Sequence, residues 1–415
     1  MTRSDLPVDG KRLWDDVMAL GAITDPQRPY TRRSFSPLFM EGRAWLARRF
    51  TEAGLKVRID PGGNLIGRME GRDAKSSTIM LGSHSDTVPS GGRFDGIAGV
   101  LAALEVARSL PAPPRHAIEV IDFLAEEPSE YGVSCIGSRA MAGQLEPEML
   151  TRTGPGNEPL STALDRIGGA TAKLAQARRS DIAAFLELHI EQGVVLEQKH
   201  VDVGVVTSIV GVTRIDIVFQ GAADHAGTTP MGLRRDAGLA AARLVAYLAE
   251  RAAVLSASGR GHFVATAGVI EVEPNAPNVV PGRAHIVLDM RAEDHALAQG
   301  FIAELDRESL AIAAACRVER TRFAMLMNTT PAICDTRLRK LLTQSAEQLK
   351  LSSMPLASGA GHDAAFVSRF APAAMLFVPC RNGKSHTPEE WAEPEALAAG
   401  TAVLLETVRR INENT

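Results

Sequence analysis

Several histidines and carboxylates in this chain stand where a metal site would need them. In Gly82-Ser-His-Ser-Asp86, His84 and Asp86 are two residues apart, a spacing that points both side chains to one face at the end of a strand. Such a pair can supply a ligand and its support, because a carboxylate bonded to the far nitrogen of a metal-bound imidazole fixes its tautomer. Asp95 follows the Gly91-Gly92 turn and precedes Ile97 to Val106, whose apolar spacing is helical. Its carboxylate is therefore expected at the positive end of a helix, where it could bridge two cations. Glu126 and Glu127 are adjacent acids behind an apolar run, and buried carboxylates side by side repel unless cations or a proton compensate. Their side chains diverge, so one can bind metal while the other handles protons. His189 closes another apolar run, and His386 stands before Thr387-Pro-Glu-Glu390, which carries helix-start signals. Singly, each of these reads equally well as a packed histidine, a helix cap or a solvated acidic loop. Their recurrence at four strand ends points to a two-metal hydrolase.

The elements that must position these residues are legible around them. Thr78–Leu81, Ala117–Ala125, the run from Phe185 to His189 and Ala373–Pro379 read as buried strands. Open α/β sheets collect ligands outside the carboxyl ends of their strands, so the four ends converge on one crevice. The middle of the chain differs. Thr213–Phe219, His262–Ile270 and His285–Arg291 read as further strands, and Arg235–Glu250 and Ala296–Ala315 as helices, which together predict an α+β lid inserted into the first domain. Breaks near Gly211 and Met327 give a discontinuous catalytic domain, residues 1–210 and 328–415, and a lid of residues 211–327. Ser358-Gly-Ala-Gly361 reads as a loop whose small residues, Gly359 and Ala360 among them, let backbone line a substrate.

The motifs Ser83-His-Ser-Asp-Thr-Val-Pro89 with Gly91-Gly-Arg-Phe-Asp-Gly96, Leu186-Glu-Leu-His-Ile-Glu-Gln-Gly193, Ala223-Asp-His-Ala-Gly-Thr-Thr-Pro230, Pro274-Asn-Ala-Pro-Asn-Val-Val-Pro281, Ser358-Gly-Ala-Gly-His-Asp363 and Ser385-His-Thr-Pro-Glu-Glu-Trp391 occur in this order. On these the chain resembles the amidase, hydantoinase/carbamoylase branch of the M20 metallopeptidase-like superfamily, which includes N-carbamoyl-L-amino-acid amidohydrolases, β-ureidopropionase and allantoate amidohydrolase. The resemblance implies a zinc-exopeptidase-like mixed sheet flanked by helices, and a lid with an antiparallel sheet and two helices that dimerises and closes over substrate. It implies that His84, Asp95 and His189 hold one ion and Asp95, Glu127 and His386 a second, with Asp86 in support and Glu126 as general base. Nitrogen and oxygen donors without thiolate suit Zn²⁺ foremost, and also Mn²⁺, Co²⁺ or Ni²⁺. Two such ions would polarise a carbonyl and acidify a water. The resemblance further assigns His225 to the developing oxyanion, and Gln192, Asn278 and Arg291 to a substrate whose carboxylate the planar Arg291 fork would pair. In related enzymes His225 and Asn278 reach the partner subunit's site. His362 is not assigned as a ligand.

The implied reaction is hydrolysis of a linear amide, foremost an N-carbamoyl-L-amino acid giving amino acid, carbon dioxide and ammonia. Allantoate, an N-acyl amino acid or a small peptide are alternative substrates. Many members continue the paired acids with Gly-x-Arg-Phe; here Pro128-Ser-Glu-Tyr131 follows, which removes an arginine and suggests a separate substrate subgroup. A metal-free scaffold relative would show loss of a ligand or of the base, and neither is lost. The 415 residues, 45% hydrophobic, suffice for two cores, and a formal net charge of -4 argues against nucleic-acid binding. Four cysteines without metal-type spacing, no apolar leader after Met1 and no long apolar run lead to the expectation of a cytoplasmic protein without membrane association.

Overall fold

The computed structural model describes residues 6–413 except 74 and 112, so the Met1 end read above for a leader lies outside the described residues. The chain divides into two compact units, Met1–Thr207 with Ile333–Leu356 and Gly361–Thr415, and Ser208–Ala332 with Ala357–Ala360. The strands are β1 (Lys56–Ile59), β2 (Leu65–Met69), β3 (Thr78–His84), β4 (Ile118–Phe123), β5 (Ile182–Ile190), β6 (Val203–Ile209), β7 (Gly211–Gln220), β8 (Asp224–His225), β9 (Phe263–Glu273), β10 (Val279–Val280), β11 (Arg283–Ala292), β12 (Glu319–Asn328), β13 (Ala332–Ile333), β14 (Ser353–Ser358) and β15 (Ala373–Val378).

The larger sheet runs β1-β2-β4-β3-β5-β15-β6-β13, with β14 also against β6. Its middle quartet, β4, β3, β5 and β15, is parallel throughout, while β2 and β6 flank it antiparallel. Every residue of β3, β4 and β15 is buried. A parallel sheet covered on both faces has no solvent side, which is why these segments are continuous apolar runs and not alternating ones. Helices Ile97–Ser109 and Pro394–Glu413 pack on this quartet and on each other. Because the quartet is parallel, the residues following β3, β4, β5 and β15 emerge at one edge.

The second unit is built on an antiparallel sheet in the order β12-β7-β11-β9, with a two-stranded ribbon of β8 and β10. Along β11, half-buried and buried positions alternate, and Ala284, Ile286, Leu288 and Met290 join Ile217, Phe219, Leu244 and Phe301 in one core under helices Ala237–Ser256 and His295–Ala315. Both helices start where an aspartate caps them: Asp236 accepts from the Leu239 N–H and Asp294 from that of Leu297. β12 has no counterpart among the strands expected from sequence. It is an edge strand, charged at Glu319, Arg320 and Arg322 and largely exposed, so it lacks the alternating pattern that marks a half-buried strand.

One local expectation is overturned. No helix starts at Thr387; residues 387–390 form a turn and the helix begins at Pro394. The acid that would have closed a capping box, Glu390, is fully buried and turned onto other backbone.

Candidate metal centre

His84, the last residue of β3, is 1% exposed, and its Nδ1 lies 3.0 Å from the carbonyl oxygen of Asp86. The Asp86 carboxylate is 3.6 Å from that nitrogen, too far for a hydrogen bond. This corrects the expected pairing: the main chain of Asp86, not its side chain, orients the ring. The Asp86 carboxylate instead accepts from the N–H groups of Glu126, at 3.2 Å, and Glu127, at 3.3 Å. It thereby joins the end of β3 to the turn after β4, where Ala125 takes a left-handed φ of 52° to start the acidic pair.

His189, near the end of β5, bonds the Ile190 carbonyl through Nδ1 at 2.9 Å, while its Nε2 accepts from the Gly96 N–H at 3.2 Å. Nε2 is thus the lone-pair nitrogen, and it faces Asp95 Oδ1 at 3.1 Å. Two lone pairs opposed at that distance are relieved by a proton or a cation between them. Asp95 itself does not cap the helix, whose N-cap is Gly96. At Gly96 the φ is 66° and an added Cβ would come within 2.4 Å of the His84 ring, so only glycine lets the chain pass there. The other Asp95 oxygen lies 3.1 Å from Nε2 of His386, and that nitrogen lies 3.2 Å from Glu127 Oε1.

The ligand atoms of His84, Asp95 and His189 lie within 4.8 Å of one another, as do those of Asp95, Glu127 and His386. Two triads sharing one carboxylate are a donor set for two ions. The charge balance fits as well. Burial pushes the Glu126 carboxyl well above its ordinary value, the His84 charge opposing and Glu127 and Asp363 adding to the rise. Burial would discharge His84, but the nearby Asp86 and Asp95 carboxylates, 3.6 and 3.5 Å from its ring nitrogens, hold the imidazole well above its usual range, and His189 is raised against its own burial by Asp95. Asp95 and Glu127 raise His386 to about 10. In each case a proton stands in for a neighbouring positive charge that the carboxylates demand, and nitrogen and oxygen donors without thiolate suit borderline divalent ions.

Glu126 lies beside the first triad, its Oε2 3.7 Å from His84 Nε2, and next in sequence to Glu127 of the second. Its other oxygen meets the buried Cys135 thiol at 3.6 Å, a contact that the spacing of the cysteines along the chain does not signal. The loop after the acids has no arginine of its own, but Arg33 reaches it, donating from Nη2 to the Pro128 carbonyl at 2.5 Å. Gln192 (φ 57°) does not stand free for substrate: its Nε2 donates to Asp95 Oδ2 at 2.8 Å and to Ser385 Oγ at 3.1 Å, leaving the buried Oε1 without a protein partner. His362 is buried against His189, ring centroids 4.6 Å apart, and belongs to neither triad.

The remaining assigned residues lie in the second unit. The β8–β10 ribbon pairs His225 with Val279, and the Asn278 carbonyl accepts from the Ala226 N–H at 2.9 Å, so His225 and Asn278 are brought together. His225 Nδ1 accepts from the N–H groups of Gly227 and Thr228 at 3.0 and 3.2 Å. Arg291 donates from Nε to Asp289 at 3.0 Å and from Nη1 to the Gly359 carbonyl at 2.8 Å, next to Ala360, so part of its fork is already committed.

The profile of peptidase family M20/M25/M40 matches residues 80–410. The chain is 37% identical to an N-carbamoyl-L-amino acid amidohydrolase of Geobacillus stearothermophilus, over 97% of this chain and 98% of that protein. It is 35% identical to a ureidoglycolate hydrolase of Oryza sativa (98% and 85% covered) and 34% identical to the allantoate amidohydrolase of Escherichia coli (92% of each). Among solved structures, a hydantoinase/carbamoylase family amidase from Burkholderia multivorans superposes with a TM-score of 0.89 at 36% identity, covering 97% of both chains. Matched in profile over residues 80–410 and in sequence and fold over nearly its whole length, the chain belongs to peptidase family M20/M25/M40, in the hydantoinase/carbamoylase branch of amidohydrolases that act on linear amides.

Proposed function

We propose that the protein hydrolyses the carbamoyl C–N bond of an N-carbamoyl-L-amino acid, releasing the amino acid, carbon dioxide and ammonia. The observation that carries this reading is the pair of ligand triads sharing Asp95 with Glu126 beside them. In it, His84, Asp95 and His189 hold one divalent ion, and Asp95, Glu127 and His386 the other, Zn²⁺ or one of Mn²⁺, Co²⁺ and Ni²⁺. Bound there, the ions supply Lewis acidity to the carbonyl and acidify the attacking water. Glu126 takes the proton of that water and passes it to the leaving nitrogen, its burial raising the carboxylate's affinity for a proton. Asp86 holds the Glu126-Glu127 main chain in register with β3.

The second unit serves as lid and dimerisation domain, from this chain or from a second copy. With Nδ1 accepting two N–H groups, His225 keeps its proton on Nε2, the form that donates to a developing oxyanion. Asn278, Arg291, Gly359 and Ala360 contact the substrate, with Arg291 turned to its carboxylate, and Gln192 presents its Oε1. Exposed Val264, Ile270, Met325 and Leu326 on the edge strands β9 and β12 favour a homodimer. Four free, buried cysteines suit a reducing cytoplasm, and among the described residues no helix is long and apolar enough to cross a membrane.

The rice and Escherichia coli relatives favour a second reading, in which the substrate is ureidoglycolate or allantoate, ureido acids with the same carbamoyl group near a carboxylate. Ammonia release by Zn²⁺- or Mn²⁺-loaded protein from N-carbamoyl amino acids, allantoate and ureidoglycolate, with release of the free amino acid from N-formyl and N-acetyl amino acids and a chelated control alongside, separates them. Chelator-sensitive release from N-carbamoyl amino acids supports the first reading; release confined to the ureido acids supports the second, and silence across the panel overturns both.

A further inference from the structure

Glu390 has no part in the reading above, yet it is a fully buried carboxylate with each of its oxygens engaged. Its Oε1 accepts from the N–H of Phe94 at 2.8 Å and from the N–H of Asp95 at 3.1 Å. Its Oε2 lies 2.8 Å from Ser385 Oγ, and that hydroxyl lies 3.0 Å from Asp95 Oδ2. Gln192 Nε2 closes the ring, donating to both Asp95 Oδ2 and Ser385 Oγ. Glu390 therefore holds Asp95 directly at its amide, and its Oε2 and Asp95 Oδ2 share the one hydroxyl proton of Ser385.

The surroundings are built for that grip. At Gly92 an added Cβ would stand 1.8 Å from Glu390 Oε1, so the Gly91-Gly92 turn clears the space the carboxylate occupies. Next to it, Trp391 packs edge-on against Phe94 and Trp14, with ring centroids 5.6 and 5.3 Å apart, which fixes the backbone on both sides. A carboxylate this deep is costly unless donors surround it, and here the donors are the amides flanking the shared ligand.

We propose that Glu390, acting with Ser385, is the positioning residue of Asp95, setting the backbone and carboxylate of the one ligand common to both ions. The inference rests on Asp95 as a shared metal ligand and not on the identity of the substrate. Removing a group that orients a ligand commonly weakens metal affinity or activity roughly 10–100-fold.

The test compares wild type, Glu390→Ala, Glu390→Gln and Ser385→Ala by competition of a chromogenic chelator for Zn²⁺, with kcat, KM and thermal melting of the metal-free proteins alongside. Glu390→Ala is expected to lose roughly 10–100-fold in affinity for both ions, with a fall in kcat larger than any rise in KM. Glu390→Gln, whose side-chain carbonyl still accepts from both amides, is expected to recover most of that loss, and Ser385→Ala to show a smaller loss with unchanged melting. If Glu390→Ala does not fold, the Ser385→Ala affinity decides. Folded variants that bind both ions as wild type does would overturn the proposal. Wild type that binds no Zn²⁺ would overturn the metal reading itself, whereas wild type that binds Zn²⁺ but turns over no substrate would overturn only the proposed reaction.

Discussion

At the scale of single residues, Glu126 and Glu127 are chemically identical neighbours with different surroundings. Glu127 turns one oxygen to His386 and takes the place of a ligand; Glu126 faces His84 and the Cys135 thiol and is the acid that burial drives upward. Glu126→Gln keeps the shape and removes the proposed base. It is expected to lower kcat by roughly 10²–10⁴-fold while metal content, measured by mass spectrometry, stays near wild type. Normal turnover in that variant would assign the base elsewhere.

At the scale of elements, the turn between β3 and the helix Ile97–Ser109 is the tightest constraint on the centre. Gly96→Ala would place a methyl against the His84 ring at a left-handed φ, so it is expected to destabilise the fold by about 1–3 kcal/mol and to weaken metal binding together. Denaturant unfolding with and without Zn²⁺ measures both effects. The opposite end of β5 carries a pH-dependent tie. Asp181, hydrogen-bonded to Arg179 and receiving Thr78 Oγ1 at 3.1 Å, is held down to about 2. Its folded value lies below the unfolded value of about 3.9, so the tie contributes fully above about pH 4 and is lost as pH falls toward 2. Asp181→Asn is expected to be less stable than wild type at neutral pH and to lose less stability across that acid range, as followed by circular dichroism of the metal-free protein.

At the scale of the whole molecule, all five candidate ligands belong to the first unit, so occupancy of the proposed centre would be a property of its folding. An ion that binds only the folded chain adds about 2.7 kcal/mol per site at a free concentration a hundred times its dissociation constant. Chelation is expected to lower the melting temperature of that unit, and stepwise return of Zn²⁺ to raise it with the logarithm of free metal. A melting temperature indifferent to metal would count against a centre at Asp95.

The quartet of buried strands and the two helices of the second unit were legible because each is written locally, whereas the grouping of five candidate ligands into two sets came from the resemblance. Continuous apolar runs mark strands covered on both faces, helical spacing marks the two helices, and His84, Glu126, Glu127 and His189 stand at or just past the ends of such runs. What tertiary structure alone decided are the partnerships across long sequence separations. The Asp86 carboxylate binds the Glu126 and Glu127 amides in place of the His84 ring, because the parallel pairing of β3 and β4 brings that backbone alongside. Glu390, with the composition of a capping box, turns inward because the amides at Phe94 and Asp95 are nearer to it than any helix of its own. Residue types and their spacing along the chain specify the kinds of groups that a centre can use; only the packed sheet brings distant segments close enough to decide which group each one holds.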